Sequence, residues 1–99
     1  MLTDINVIEI NKILVLCGTA RMTTSEINYL DAINTEVTTE CDNYKIAQIV
    51  ILDRLKNQTC NGSVISRLFH LAEANGCQLQ DKAVEKPAAT IMYIGGGLV

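Results

Sequence analysis

The chain has no tryptophan, one phenylalanine, one proline and one histidine. With only three tyrosines besides, it offers few flat side chains for stacking bases or sugars. Basic residues are also scarce. Eight Lys and Arg stand against eleven Asp and Glu, for a net charge of −3 and a pI near 4.9. A protein that grips phosphate backbones has the opposite balance, so direct nucleic-acid binding is not expected. No apolar run approaches the roughly 18 residues that a membrane span requires, and no membrane association is expected. Close cysteine pairs of the C-x₂-C kind are missing as well, and His70 alone completes no zinc set. Neither a metal nor a cofactor is therefore expected.

The cysteines that are present, Cys17, Cys41, Cys60 and Cys77, are read as reduced, partly buried thiols, since cysteine is among the most buried residue types. Disulfides need an oxidising compartment. The amino-terminal stretch has no basic n-region, and Glu9 and Lys12 interrupt its apolar run. Leu14, Val15, Leu16 and Cys17 have the outline of a lipoprotein cleavage box, but Leu16 stands where a small residue belongs. A cytoplasmic location follows as the expectation. The sequons at Asn57 and Asn61 are then never glycosylated.

What the chain has in quantity is aliphatic side chains. Hydrophobic residues make up 48% of its 99 positions, enough for one small domain with a core of Ile, Leu, Val and Ala. Residues 1–99 read as that single domain, with 95–99 a flexible glycine-rich end.

The strongest helical signal runs over residues 23–57. Ile27, Leu30, Ile33, Val37, Cys41, Tyr44, Ala47, Ile51 and Leu55 recur at steps of three and four, on one helical stripe. Thr23 and Glu26 make a capping box, with Met22 and Ile27 at the staple positions. Thr39 and Asp42 repeat that spacing within a run of poor helix formers, so the helix is expected to break near 38–43. Residues 46–52 are apolar all round, which makes 44–55 the expected centre of the core. A further helix is expected from Ser63, as its cap, to Asn75, with Gly76 closing it. Residues 77–86 read as polar and loose.

Residues 5–17 carry conflicting signals. Thr3 and Asp4 can cap a helix and Gly18 can end one. However, Asn6, Glu9, Asn11 and Lys12 scatter around the whole wheel, and six of the thirteen residues are Ile or Val. Extended structure is preferred here: strands near 5–10 and 13–17 joined at Asn11 and Lys12, or one strand at 12–17. Residues 88–94, after Pro87, also read as strand and need an edge to pair with. The fold expected is therefore α+β, a small sheet of the N- and C-terminal apolar segments packed on two to three helices. The alternative is an all-α bundle with an extended C-terminal tail.

Residues 12–25 (KILVLCGTARMTTS) have the outline of a strand, a loop and a helix start. The stretch resembles the first strand and phosphate loop of flavodoxin-like flavin reductases. The resemblance covers about a seventh of the chain, and the alternating strands and helices of that fold do not follow. It implies a phosphate or nucleotide ligand held by Gly18, Thr19, Arg21, Thr24 and Ser25, with amide donors at a helix N-terminus and one guanidinium. A plain turn with a well-made helix cap is the preferred reading of these residues.

Other candidate sites are sparser. Ser66 lies four residues before His70, and Cys41 or Cys60 could approach it across the fold, but a partly exposed surface histidine is the preferred reading and no catalysis is expected from it. Five acids and no base lie between Glu26 and Asp42. Of these, Asp31, Glu36, Glu40 and Asp42 form a candidate surface for a partner with a basic face. Tyr93, Leu98 and Val99 join them as candidate contacts, because residues 88–99 are too apolar for a free end in water. The function expected is a non-catalytic, acidic protein-binding module of adaptor, chaperone or inhibitor type, acting as a homo-oligomer. A phosphate-ligand binder using the 18–25 loop is the alternative.

Overall fold

A computed structural model describes residues 1–80, and these form four helices: α1 (Asp4–Leu16), α2 (Thr24–Ala32), α3 (Glu40–Lys56) and α4 (Ser63–Ala74). No strand occurs among the described residues. This favours the all-α alternative over the expected α+β fold. The 88–94 strand and the glycine-rich end lie outside the described residues.

Local chemistry sets most helix boundaries. Three helices begin with a reciprocal capping box, Thr3 with Asn6, Thr23 with Glu26 and Thr39 with Asp42. All four end in the same closure, in which two backbone N–H groups past the helix reach back to carbonyls of its last turn. For α1 these bonds are Gly18 to Val15 and Thr19 to Leu14. The closure needs a residue of positive φ, supplied by Gly18, Asn34, Gln58 and Gly76. Gly62, not Ser63, is the N-cap of α4, and the Ser63 N–H donates to the Asn61 side chain.

Residues 5–16 are thus helical, with Cys17 as the C-cap, which corrects the extended reading of 5–17. Ile10, Ile13, Leu14 and Cys17 are buried on one side of α1. The opposite side carries Ile5, Ile8, Val15 and Leu16 at 71, 54, 52 and 67% exposure. No polar face shows on the wheel because the outer face is itself largely apolar. The scatter that suggested strand is a helix whose outward apolar side nothing among the described residues covers.

The core is formed where α3 packs against α1 and α4. Tyr44, Ile46, Ala47, Val50 and Ile51 of α3 meet Ile10, Leu14, Val64, Ile65 and Leu68 in one buried cluster. Residues 44–55 are therefore the centre, but not on every side: Ile49 is 39% exposed. Val50→Ala should cost about 2 kcal/mol in a urea titration, and Ile49→Ala no more than about 0.5. Equal costs would mean that both faces of α3 are enclosed. The first helix of the 23–57 segment ends at Ala32, earlier than the 38–43 break expected, and leaves Ile33 exposed.

The cysteines need correction too. Cys41 and Cys77 form a disulfide, joining the start of α3 to the segment after α4. Only Cys17 and Cys60 are free thiols. Cys77 and Leu79 are buried, so the segment after α4 is packed down as far as it is described.

Candidate functional site

The most elaborate polar arrangement centres on Arg54. Its side chain is 7% exposed, near the end of α3, and points into the α1–α2 connection. Nε and Nη2 donate to the two Glu26 carboxylate oxygens at 2.9 and 2.7 Å. Nη1 donates to Thr19 Oγ1 at 3.0 Å and to the Ala20 carbonyl at 2.6 Å, and Nη2 also donates to the Arg21 carbonyl at 2.9 Å. All five guanidinium N–H groups are thereby satisfied. Hydrogen bonds from Arg54 hold the Glu26 carboxyl below its ordinary value, and the same contacts raise the Arg54 pKa.

The 18–25 loop is organised by this guanidinium. Thr19 and the carbonyls of Ala20 and Arg21 turn inward to a fixed cation. The Thr23 hydroxyl accepts from the Glu26 N–H, closing the cap. Thr24 and Ser25 are exposed as the first residues of α2. Gly18 lies against Arg67, where a Cβ would come within 2.6 Å of a guanidinium nitrogen. The strand expected before the loop is the last turn of α1.

The candidate acids divide into two kinds. Asp31 accepts the Leu2 N–H at 2.8 Å and anchors the amino-terminal residues to α2. Asp42 accepts from the Thr38 N–H and hydroxyl and from the Thr39 N–H; these bonds, those from Thr38 first, hold its carboxyl at about 2. Glu36 and Glu40 are exposed and make no side-chain hydrogen bond or ion pair among the described residues. Glu40 also lines a cavity of about 230 Å³ with Glu9 and Asn43. Asn43 is 4% exposed, and its side-chain oxygen has no partner there. Tyr93, Leu98 and Val99 lie outside the described residues.

Beside the bare face of α1 runs a larger groove of about 560 Å³, lined by Ile8, Asn11, Lys12, Val15, Leu16 and Arg21. Asn11 fixes its shape, since the side-chain oxygen accepts the Met22 N–H at 2.8 Å and pins the start of α2 alongside α1. The floor is aliphatic and two cations stand at its edge. The Arg21 side chain makes no ion pair among the described residues, while Lys12 lies 3.3 Å from Glu9. Of the expected site residues only Arg21 lines this groove; its one sequence signal was the lack of a polar face over residues 5–17.

No family model, curated protein or solved structure matches the chain. The functional reading therefore rests on its own geometry. Among the described residues no group of His, Cys, Asp and Glu is arranged to hold a metal. No helix there is long and apolar enough to cross a membrane. His70 is exposed on α4, and burial pushes the Cys17 and Cys60 thiols up, away from the thiolate form that a nucleophile needs.

Proposed function

We propose that this chain is a non-catalytic protein-binding module that acts by occupying another protein chain. The observation that carries the reading is the exposed apolar face of α1, with Ile5, Ile8, Val15 and Leu16 beside an aliphatic groove. Contiguous apolar surface of this kind marks interaction sites. Burial holds Cys17 and Cys60 toward the thiol form, which argues against thiolate-based catalysis by either. Glu36 and Glu40, away from the groove, are exposed and open to a basic partner surface, whereas Asp31 and Asp42 serve mainly to hold local structure.

The phosphate-ligand reading has weaker support. The inward groups of the 18–25 loop are already bonded to Arg54, and they are mostly acceptors, of the wrong sign for an anion.

A cytoplasmic location belongs to the proposal only if the Cys41–Cys77 bond is absent in the cell, because disulfides persist in oxidising compartments. Alkylation under denaturing conditions before any reductant is added decides this: two cysteines that react only after later reduction would place the protein outside the cytoplasm.

The binding reading itself is tested by affinity capture with wild type and with Ile8→Asp/Leu16→Asp. Both substitutions are at exposed positions, so circular dichroism should be unchanged. Proteins held by wild type should be lost from the variant. An identical set from both would sink the reading.

A further inference from the structure

Resting on the proposal that α1 is a binding face, we infer that its occupant is a second copy of this chain, with the two α1 helices packed antiparallel about a two-fold axis. The first support is spacing. Ile5, Ile8, Lys12 and Val15 recur at three, four and three residues, the alternation of a and d positions in a helix–helix seam. All four are outside the core of their own chain: Ile5, Ile8 and Val15 are more than half exposed, and the Lys12 side chain is 65% exposed. A seam of this spacing is shaped to interdigitate with another helix, which distinguishes it from a scatter of apolar surface residues.

The second support is charge. Along the middle of this face Glu9 and Lys12 form the only ion pair of α1 among the described residues, at 3.3 Å and open to water. Turning a second α1 end for end about a two-fold near Ile10 sets Ile5 of each copy against Val15 and Leu16 of the other. Ile8 then meets the aliphatic stem of the other copy's Lys12. The same operation puts each Lys12 ammonium beside the other copy's Glu9. Two acids and two bases then close the centre of the seam with no net charge, and the apolar residues pack at its two ends. A parallel pairing would instead set Lys12 against Lys12 and Glu9 against Glu9. The face is thus complementary to itself in one orientation, which is the requirement for an isologous interface. A lysine at a single a position is also a known way of fixing register and orientation at some cost in affinity.

Charge exchange in the full-length chain tests this, read by sedimentation equilibrium over a concentration series. Wild type should be a dimer. Glu9→Lys and Lys12→Glu should each weaken self-association about tenfold, since each brings two like-charge contacts to the centre of the seam. Mixing the two single variants should restore dimers, and they should be heterodimers, because each lysine-rich centre then meets a glutamate-rich one. The double variant Glu9→Lys/Lys12→Glu should dimerise like wild type. Lys12 is exposed and Glu9 half-buried, and an unchanged circular dichroism spectrum separates loss of pairing from loss of fold. A wild-type monomer at millimolar chain overturns the inference, as do single variants that dimerise undiminished or a mixture that yields no heterodimer. A monomer whose Ile5 and Ile8 methyls show nuclear Overhauser contacts to residues 88–99 would give the face to the chain's own tail, and that too overturns it. Because the affinity-capture experiment reads binding of other proteins, a monomeric chain that still loses captured proteins on Ile8→Asp/Leu16→Asp substitution would fail this inference and leave the binding reading standing.

Discussion

Arg54→Met should remove about 3–5 kcal/mol of stability, a large part of the 5–15 kcal/mol that holds a domain together. The apolar stem is kept, so the loss is electrostatic. Glu26 is left as a partly buried carboxylate, and Thr19, Ala20 and Arg21 lose their donor. Arg54→Lys should not rescue it, because a single ammonium cannot reach five acceptors held in a planar fork. Glu26→Gln should cost less, since the amide oxygen still accepts from the guanidinium. Urea titration of both single variants and the double variant gives the coupling. A coupling near zero would mean that the bracket contributes nothing beyond packing. Acid provides an independent readout. The folded-state pKa of Glu26 lies below its ordinary value of 4.5, so its contribution is complete above that value and fades as the pH falls through the folded pKa. Arg54→Met should lack this component of acid sensitivity.

The second large effect is expected at the disulfide. Cys41→Ser/Cys77→Ser should lose about 3–4 kcal/mol, the chain-entropy value for a closed loop of this length, with a sequence separation of 36. Reductant should lower the urea midpoint of wild type to that of the double variant and leave the double variant itself unmoved. If reductant has no effect on wild type, the two sulfurs are not bonded in the folded protein. Both prolonged oxidation and purification under reducing conditions should be compared, because the free thiols at Cys17 and Cys60 are protected by burial and by high pKa.

The sequence was most legible where structure is decided by neighbours along the chain. The Thr23–Glu26 and Thr39–Asp42 boxes mark the starts of α2 and α3, and Gly76 marks the end of α4, because caps depend on residues three or four apart. The α1 helix was misread for a reason that is also informative. Pattern reasoning assumes that an outward helix face is polar, and Ile5, Ile8, Val15 and Leu16 break that assumption. The Cys41–Cys77 pair left no local trace, since nothing near either residue specifies a partner so far along the chain. Arg54 was similarly silent. A base in the last turn of a helix is ordinarily a solvated complement to the helix dipole, and only the tertiary fold turns this one inward. Ile49 and Val50, adjacent and alike in chemistry, differ only in which way α3 faces its neighbours. The groove beside α1 required two helices to be placed before it existed at all.

The disulfide has one further consequence. It closes a covalent ring of residues 41–77 that contains nearly all of α3, the link after it and the whole of α4. Helices α1 and α2 lie outside that ring and are held to it by apolar packing and by the Arg54 bracket. The ring should therefore resist opening more than α1 and α2 do. Amides within the ring should exchange with deuterium only through global unfolding, whereas those of α1 and α2 exchange through a smaller, local release. The helix that carries the bare apolar face thus lies outside the covalent ring, and faster exchange in α1 than in α3 and α4 is the expected result.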